Sequence, residues 1–237
     1  MRGSTMTGAL AATALAIGLA VTGCGSGGDQ TAETETSAET TPASGNAETT
    51  TAETSAAAPA DNRTVGEYLT ANGVSQTIVK AGEPGVPVID LPMPDGWESI
   101  PESDLPQDAY GAIYLTEAKG TPNPPAIIAR MARLDGGTFD VTEILTLSPN
   151  AVTRLPGWDG PTTGTPSELD GNAAVNIAGN ATVEDAPGFV ARKTVVIEGP
   201  QNTYVLALDA QSAADQQPTV LDAMRTIDAG TTINPRP

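Results

Sequence analysis

The chain has 237 residues, 29 acidic against 11 basic side chains, a formal net charge of -18, no His and a single Cys. A surface this acidic gains neither counterion release nor attraction from nucleic acid or anionic headgroups, so nucleic-acid binding is excluded. The missing His removes Ser-His-Asp triads and His-based zinc sites, the lone Cys removes internal disulfides and thiolate clusters, and neither a metal nor another cofactor is expected.

Arg2 supplies a positive start, and Gly8 to Val21 form an uncharged apolar run. At roughly 14 residues this run fits a secretory signal and falls short of the roughly 20 needed to span hydrocarbon as a helix. Val21-Thr22-Gly23-Cys24 follows with the form of a bacterial lipobox: an aliphatic residue, two small residues and the Cys that takes the lipid. Residues 1–23 are therefore expected as a lipoprotein signal peptide, cleaved between Gly23 and Cys24. A palmitate-type anchor on Cys24 would then hold the chain at the extracytoplasmic face of the cell membrane. Either Met1 or Met6 serves as initiator, and the lipobox is the same with both. Gly23-Cys24-Gly25-Ser26-Gly27-Gly28 also matches the G-x-G-x-x-G letters of a dinucleotide loop. An export signal precedes it, however, where that motif needs a strand.

Gly25 to Asp61 contain almost only Thr, Ala, Ser, Gly, Glu and Pro, with no aromatic and no large aliphatic residue. Such a stretch cannot offset about 1–2 kcal/mol of backbone entropy per ordered residue. Residues 24–63 are accordingly expected as the lipidated Cys and a disordered tether, spanning on the order of 35 Å as a coil. The Thr runs resemble O-mannosylated linkers as much as a plain spacer.

The globular domain is assigned to residues 64–237. Thr64-Val65-Gly66-Glu67 is a capping-box pattern opening a helix that ends at Gly73. Val86 to Leu91 read as a Pro-edged strand closed by the turn Pro92-Met93-Pro94-Asp95-Gly96-Trp97. Ala109–Glu117 and Ala126–Leu134 are further strand-like runs, separated by the breaker Thr121-Pro122-Asn123-Pro124-Pro125. Asp140 caps a helix to about Ser148. Thr165–Leu169, Ala173–Val183, Gly188–Glu198 and Thr203–Ala210 then predict an antiparallel meander. The last element, from near Asp215, puts Val220, Leu221, Met224 and Ile227 on one helical face, with Pro218 in the first turn and Gly230 as C-cap. Helices set around runs of antiparallel strands give an α+β layered domain.

In this order, Leu91-Pro92-Met93-Pro94-Asp95-Gly96-Trp97, Ala126-Ile127-Ile128 with Arg133-Leu134-Asp135-Gly136, the Asp140 helix, Leu155-Pro156-Gly157-Trp158, Leu169-Asp170-Gly171 and Thr231-Thr232-Ile233 resemble the LpqN/LpqT family of actinobacterial, mycobacterial-type lipoproteins. The resemblance covers roughly Thr64 to Asn234. It implies a PsbP-like α/β/α sandwich around a curved antiparallel sheet, in envelopes that carry mycolic-acid lipids, with no catalytic role.

Paired carboxylates among Asp90, Asp95, Asp140, Asp159, Asp170 and Asp209 would serve glycoside hydrolysis. Most of them fall in turns, where Asp bonds its own backbone. Val183-Glu184-Asp185-Ala186 and Asp135-Gly136-Gly137 lack the spaced ligands of a calcium loop. Trp97 and Trp158 are the only indoles, each after a Pro/Gly turn; they either anchor the core or line an apolar ligand groove. The reading reached is a non-catalytic accessory of envelope transport or assembly that binds lipid, with a trehalose glycolipid or other envelope lipid and an envelope transporter protein as partners. A protein-interaction module for an envelope or host partner is the first rival, and a carboxylate-based glycan hydrolase the second. Mass spectrometry of the membrane fraction should find the chain beginning at acylated Cys24, and Cys24→Ala should accumulate unprocessed precursor. An unmodified Cys24 behind an intact N-terminus would contradict the anchor.

Overall fold

The computed structural model describes residues 61–121 and 123–234. Gly23, Cys24, the signal peptide and the tether lie outside these residues. Helix α1 (Val65–Ala71) starts as its sequence dictates: the Thr64 hydroxyl accepts the Glu67 backbone N–H, and the Glu67 carboxylate accepts the Thr64 N–H at 2.6 Å. That backbone bond holds the Glu67 carboxyl below its usual pKa, helped by the Thr64 hydroxyl and by Arg154. Two strands that the sequence did not announce follow, β1 (Ser75–Ile78) and β3 (Trp97–Ser99). Both are short, and Ser-Gln-Thr-Ile carries no apolar alternation to mark it.

The expected strands form as β2 (Val88–Asp90), β4 (Gly111–Leu115), β5 (Ala126–Asp135), β6 (Thr165–Leu169), β7 (Asn172–Val183), β8 (Ala186–Glu198) and β9 (Thr203–Ala213). The main sheet has eight strands in the order β3-β4-β5-β9-β8-β7-β6, with β1 also on β5. β4 pairs with Ala126 to Ala129, and β1 takes the same edge of β5 from Ala132 to Asp135. The meander expected from the second half is present as β6-β7-β8-β9. β2 stands apart, paired only with the C-terminal strand β10 (Thr232–Asn234).

Period-2 alternation sorts the sheet into two faces. From β8, Phe189, Ala191, Val195 and Ile197 join one core with Val220, Ala223, Met224 and Ile227 of helix α4 (Gln217–Gly230). On the opposite face Tyr68 and Leu69 of α1, with Ile144 and Leu147 of α2 (Val141–Leu147), meet Leu134 and Val196. Val152 of α3 (Asn150–Thr153) meets Ile177 and Val190 there as well. Helices thus cover both faces of one antiparallel sheet. The Asp140 cap is in place, its side chain accepting Thr142 N–H at 2.7 Å, and the Asp140 N–H donates to the Tyr68 hydroxyl at 2.9 Å, tying α2 to α1.

Gly230 is a correction. It is the last helical residue, and Thr231 caps the helix, its hydroxyl donating to the Ile227 carbonyl at 2.6 Å. A Cβ on Gly230 would lie 3.1 Å from Pro92 Cγ, so the glycine serves a close approach between α4 and the segment before β3 and not a left-handed cap.

Three charged residues are buried on the α1/α2/α3 side of the sheet. Arg192 Nε donates to Asp209 Oδ1 at 2.5 Å, Arg130 donates to Asp209 Oδ2 at 2.8 Å, and Arg130 Nε reaches Asp108 at 2.7 Å. Arg192 sits directly opposite Asp209 in the β8–β9 register. Removing one partner of such a cluster leaves uncompensated buried charge, which costs about 3–5 kcal/mol. Asp209→Ala should lose stability of that order in denaturant titration. A loss within the range of an ordinary surface change, about 0.5 kcal/mol, would show that the cluster is not holding the strands together.

Candidate functional site

The turn before β3 is built by its own sequence. Gly96 takes φ 79, a value that favours glycine, and Trp97 N–H closes onto the Pro94 carbonyl at 3.2 Å. Thr116 N–H then donates to the Gly96 carbonyl at 2.9 Å, joining the turn to the end of β4. Between this turn and α4 runs a groove of about 650 Å³, lined by Met93 to Trp97, by Leu115 to Glu117 and by Thr219, Asp222, Ala223 and Thr226.

The α4 residues follow helical spacing. Thr219, Asp222, Ala223 and Thr226 recur at i, i+3, i+4 and i+7, beside the stripe Val220, Ala223, Met224 and Ile227 that faces the core. Ala223 belongs to both stripes. Trp97, Leu115 and Ala223 are buried members of the sheet–α4 core, so the groove floor is the edge of that core. The rim is polar: Asp95, Glu117 and Asp222 supply carboxylates, and Thr116, Thr219 and Thr226 supply hydroxyls. Met93 adds an exposed apolar contact.

No Lys or Arg is among the lining residues, and among the described residues the cations elsewhere have protein partners. Arg225 pairs with Asp222, Arg133 with Asp135, Arg154 with Glu67 and buried Lys193 with Asp228. Lys80 donates to backbone carbonyls, and Lys119 stands 5.6 Å over the Tyr114 ring. Hydrogen bonding to Tyr114 raises the Lys119 pKa above its ordinary value, with nearby carboxylates adding to it. An anionic headgroup entering the groove would thus meet the Asp95 and Glu117 carboxylates, with Arg225 beside the rim already paired to Asp222.

The two indoles fall on opposite faces of the sheet. Trp97 is 6% exposed, packs in the α4-side core and shows one edge to the groove. Trp158 is half-buried on the other face, where its Nε1 donates to Pro161 O and a Cβ on Gly179 would come within 2.8 Å of its ring. Of the six acidic candidates, Asp95 alone lines the groove. Asp140 caps α2, Asp159 bridges Asn180 through its backbone, and Asp209 binds the two buried arginines. Asp170, at positive φ in the β6–β7 turn, accepts the Ile233 N–H at 2.6 Å. Asp90 is exposed on β2. Sequence reasoning missed Thr116, Glu117 and the α4 stripe; small polar residues at helical spacing beside an apolar stripe were the available signal.

A large antiparallel sheet with a few helices, and an apolar-floored groove beside α4, define an α+β domain. The chain belongs to the family described as "Probable lipoprotein LpqN", whose model matches residues 61–234. It is 36% identical over 174 residues to lipoprotein LpqN of Mycobacterium tuberculosis, spanning 73% of this chain and 75% of that protein. The crystal structure of LpqN involved in cell envelope biogenesis of Mycobacterium tuberculosis aligns with a TM-score of 0.68 at 36% identity, covering 74% of this chain and 99% of that one.

Trp97 and Thr226 separate the floor from the rim. Trp97→Ala should cost about 3–5 kcal/mol because it empties a core position, and exposed Thr226→Ala should stay within about 0.5 kcal/mol. Comparable losses at the two positions, measured by thermal unfolding, would remove this division.

Proposed function

We propose that this protein is a lipid-anchored lipoprotein, held by Cys24 at the extracytoplasmic face of the cell membrane, that binds a lipid or glycolipid without turning it over. Its role is that of an accessory to envelope transport or assembly, working beside an envelope transporter protein. The observation that carries this reading is the groove itself: an apolar floor of Trp97, Leu115 and Ala223 under a rim of hydroxyls and carboxylates, with no Lys or Arg among the lining residues and Arg225 paired to Asp222. Carboxylates accept hydrogen bonds from sugar hydroxyls, threonine hydroxyls both accept and donate them, and Met93 and Trp97 offer apolar surface to a ring or chain. A neutral polyol headgroup such as trehalose fits this chemistry better than a phosphate headgroup, which would face the Asp95 and Glu117 carboxylates. The volume lies within the few hundred to about 1,000 Å³ typical of small-ligand sites.

Membership of a lipoprotein family supports the anchor, and the M. tuberculosis relative is described as involved in cell envelope biogenesis. Helices on both faces of an antiparallel sheet agree with the PsbP-like sandwich that the family resemblance implies. The separate structural duties of Asp140, Asp159, Asp170 and Asp209 support a non-catalytic role.

Protein purified from a mycolate-bearing host should retain neutral glycolipid detectable by mass spectrometry. Thr226→Trp, which fills the groove from an exposed position, should lose that lipid with an unchanged melting temperature. No retained lipid and no binding of a trehalose monoester would favour the protein-interaction module, and cleavage of glycan abolished by Asp95→Asn would show an enzyme.

A further inference from the structure

We propose that residues 80–94 form a hinged strap, and that its opening admits an alkyl chain between the sheet and α4; this rests on the groove being a lipid site. The sheet–α4 core is close-packed, so a chain longer than the groove can enter only where a covering element moves. The strap is the element built to do so. Val79 N–H is bonded to Met131 O in the sheet, and Gly96 O accepts from Thr116, so both ends are fixed. Between them, among the described residues and apart from the Pro94–Trp97 turn, no backbone hydrogen bond joins the segment to the eight-stranded sheet; its strand β2 pairs with β10 alone.

Beyond the burial of Val86 and the β2–β10 ladder, the strap is held by three hydrogen-bonded side chains. The Tyr204 hydroxyl donates to Gly85 O at 2.9 Å, the Tyr110 hydroxyl to Pro87 O at 3.2 Å, and Lys80 to Ala109 O at 3.1 Å. Residues 81–85 are exposed, with Gly82 and Gly85 at positive φ and no atom within 4 Å of where a Cβ would stand. Underneath, Val86, Ile89 and Leu91 lie on the same core that forms the groove floor. The end of the strap, Met93 and Pro94, is a wall of the groove. Lifting the strap therefore lengthens the groove into the core, giving an alkyl chain the contacts that Val86, Ile89 and Leu91 release while the headgroup stays at the rim.

Asp90 and Thr232 are directly opposite each other on β2 and β10, and both are exposed, so Asp90→Cys/Thr232→Cys can lock the strap to β10, the strand that follows α4, without touching the core. The full-length variant, its disulfide assigned by peptide mass spectrometry, is irradiated with a trehalose monoester carrying a diazirine at the end of its alkyl chain. In the reduced protein, cross-links should map to Val86, Ile89, Leu91 and the sheet beneath; oxidation should remove them while the ester still protects amides 93–97. Cross-links that persist unchanged in the oxidised protein overturn the strap and leave the groove standing. Absence of both cross-links and protection in the reduced protein overturns the groove reading and the strap with it. Independently, Tyr110→Phe/Tyr204→Phe keeps both rings and removes two hydroxyl bonds, so amides 81–90 should exchange about 10-fold faster; unchanged exchange also overturns the proposal.

Discussion

The pairing of β5 with β9 is the constraint on which the rest of the molecule depends. It joins residues far apart in the chain, Ala126 opposite Gln211 through to Leu134 opposite Thr203, and so fuses two meanders into one sheet. Each meander alone would present a long open edge, which folded proteins avoid. The same register brings Arg130 and Arg192 to Asp209 from the strands on either side. Three charges that would each be costly to bury singly thereby satisfy one another, and a slipped register would separate them.

From that pairing follow the faces. With β5 and β9 central, odd positions of β8 such as Phe189 and Val195 look toward α4, and even ones such as Val190 and Val196 look toward α1, α2 and α3. The end of β4 is carried beside α4, so Leu115, Trp97 and Ala223 meet and the groove opens where the core stops. Val86, Ile89 and Leu91 of the segment before β3 pack on that same core. Acidic residues and threonine hydroxyls together make the rim polar above that apolar floor.

Much of this was legible where the physics is local. The Thr64 capping box, the Asp140 cap, the β6 to β9 hairpins and the α4 stripe each depend on residues within a few positions of one another. Non-local features were not legible. β1 and β3 owe their existence to a neighbour's open edge, since Ser75–Ile78 is too polar to declare itself. Arg130 and Arg192 interrupt apolar strands, and the reason, Asp209 lying between them, is set by tertiary pairing alone. Gly230 looked like a C-cap because glycine often ends helices; the contact with Pro92 is tertiary. The groove's tryptophan was singled out, but Thr116, Glu117 and the Thr219 to Thr226 stripe become a site only once β4 lies against α4.

Titration of the full-length protein with a trehalose monoester, followed by amide shifts in nuclear magnetic resonance, tests the central claim that the groove beside α4 is where this protein meets its ligand. The account requires the largest shifts at residues 93–97, 115–117 and 219–226. Shifts centred on Trp158 and the α1–α3 face, with those three segments unmoved, would contradict it.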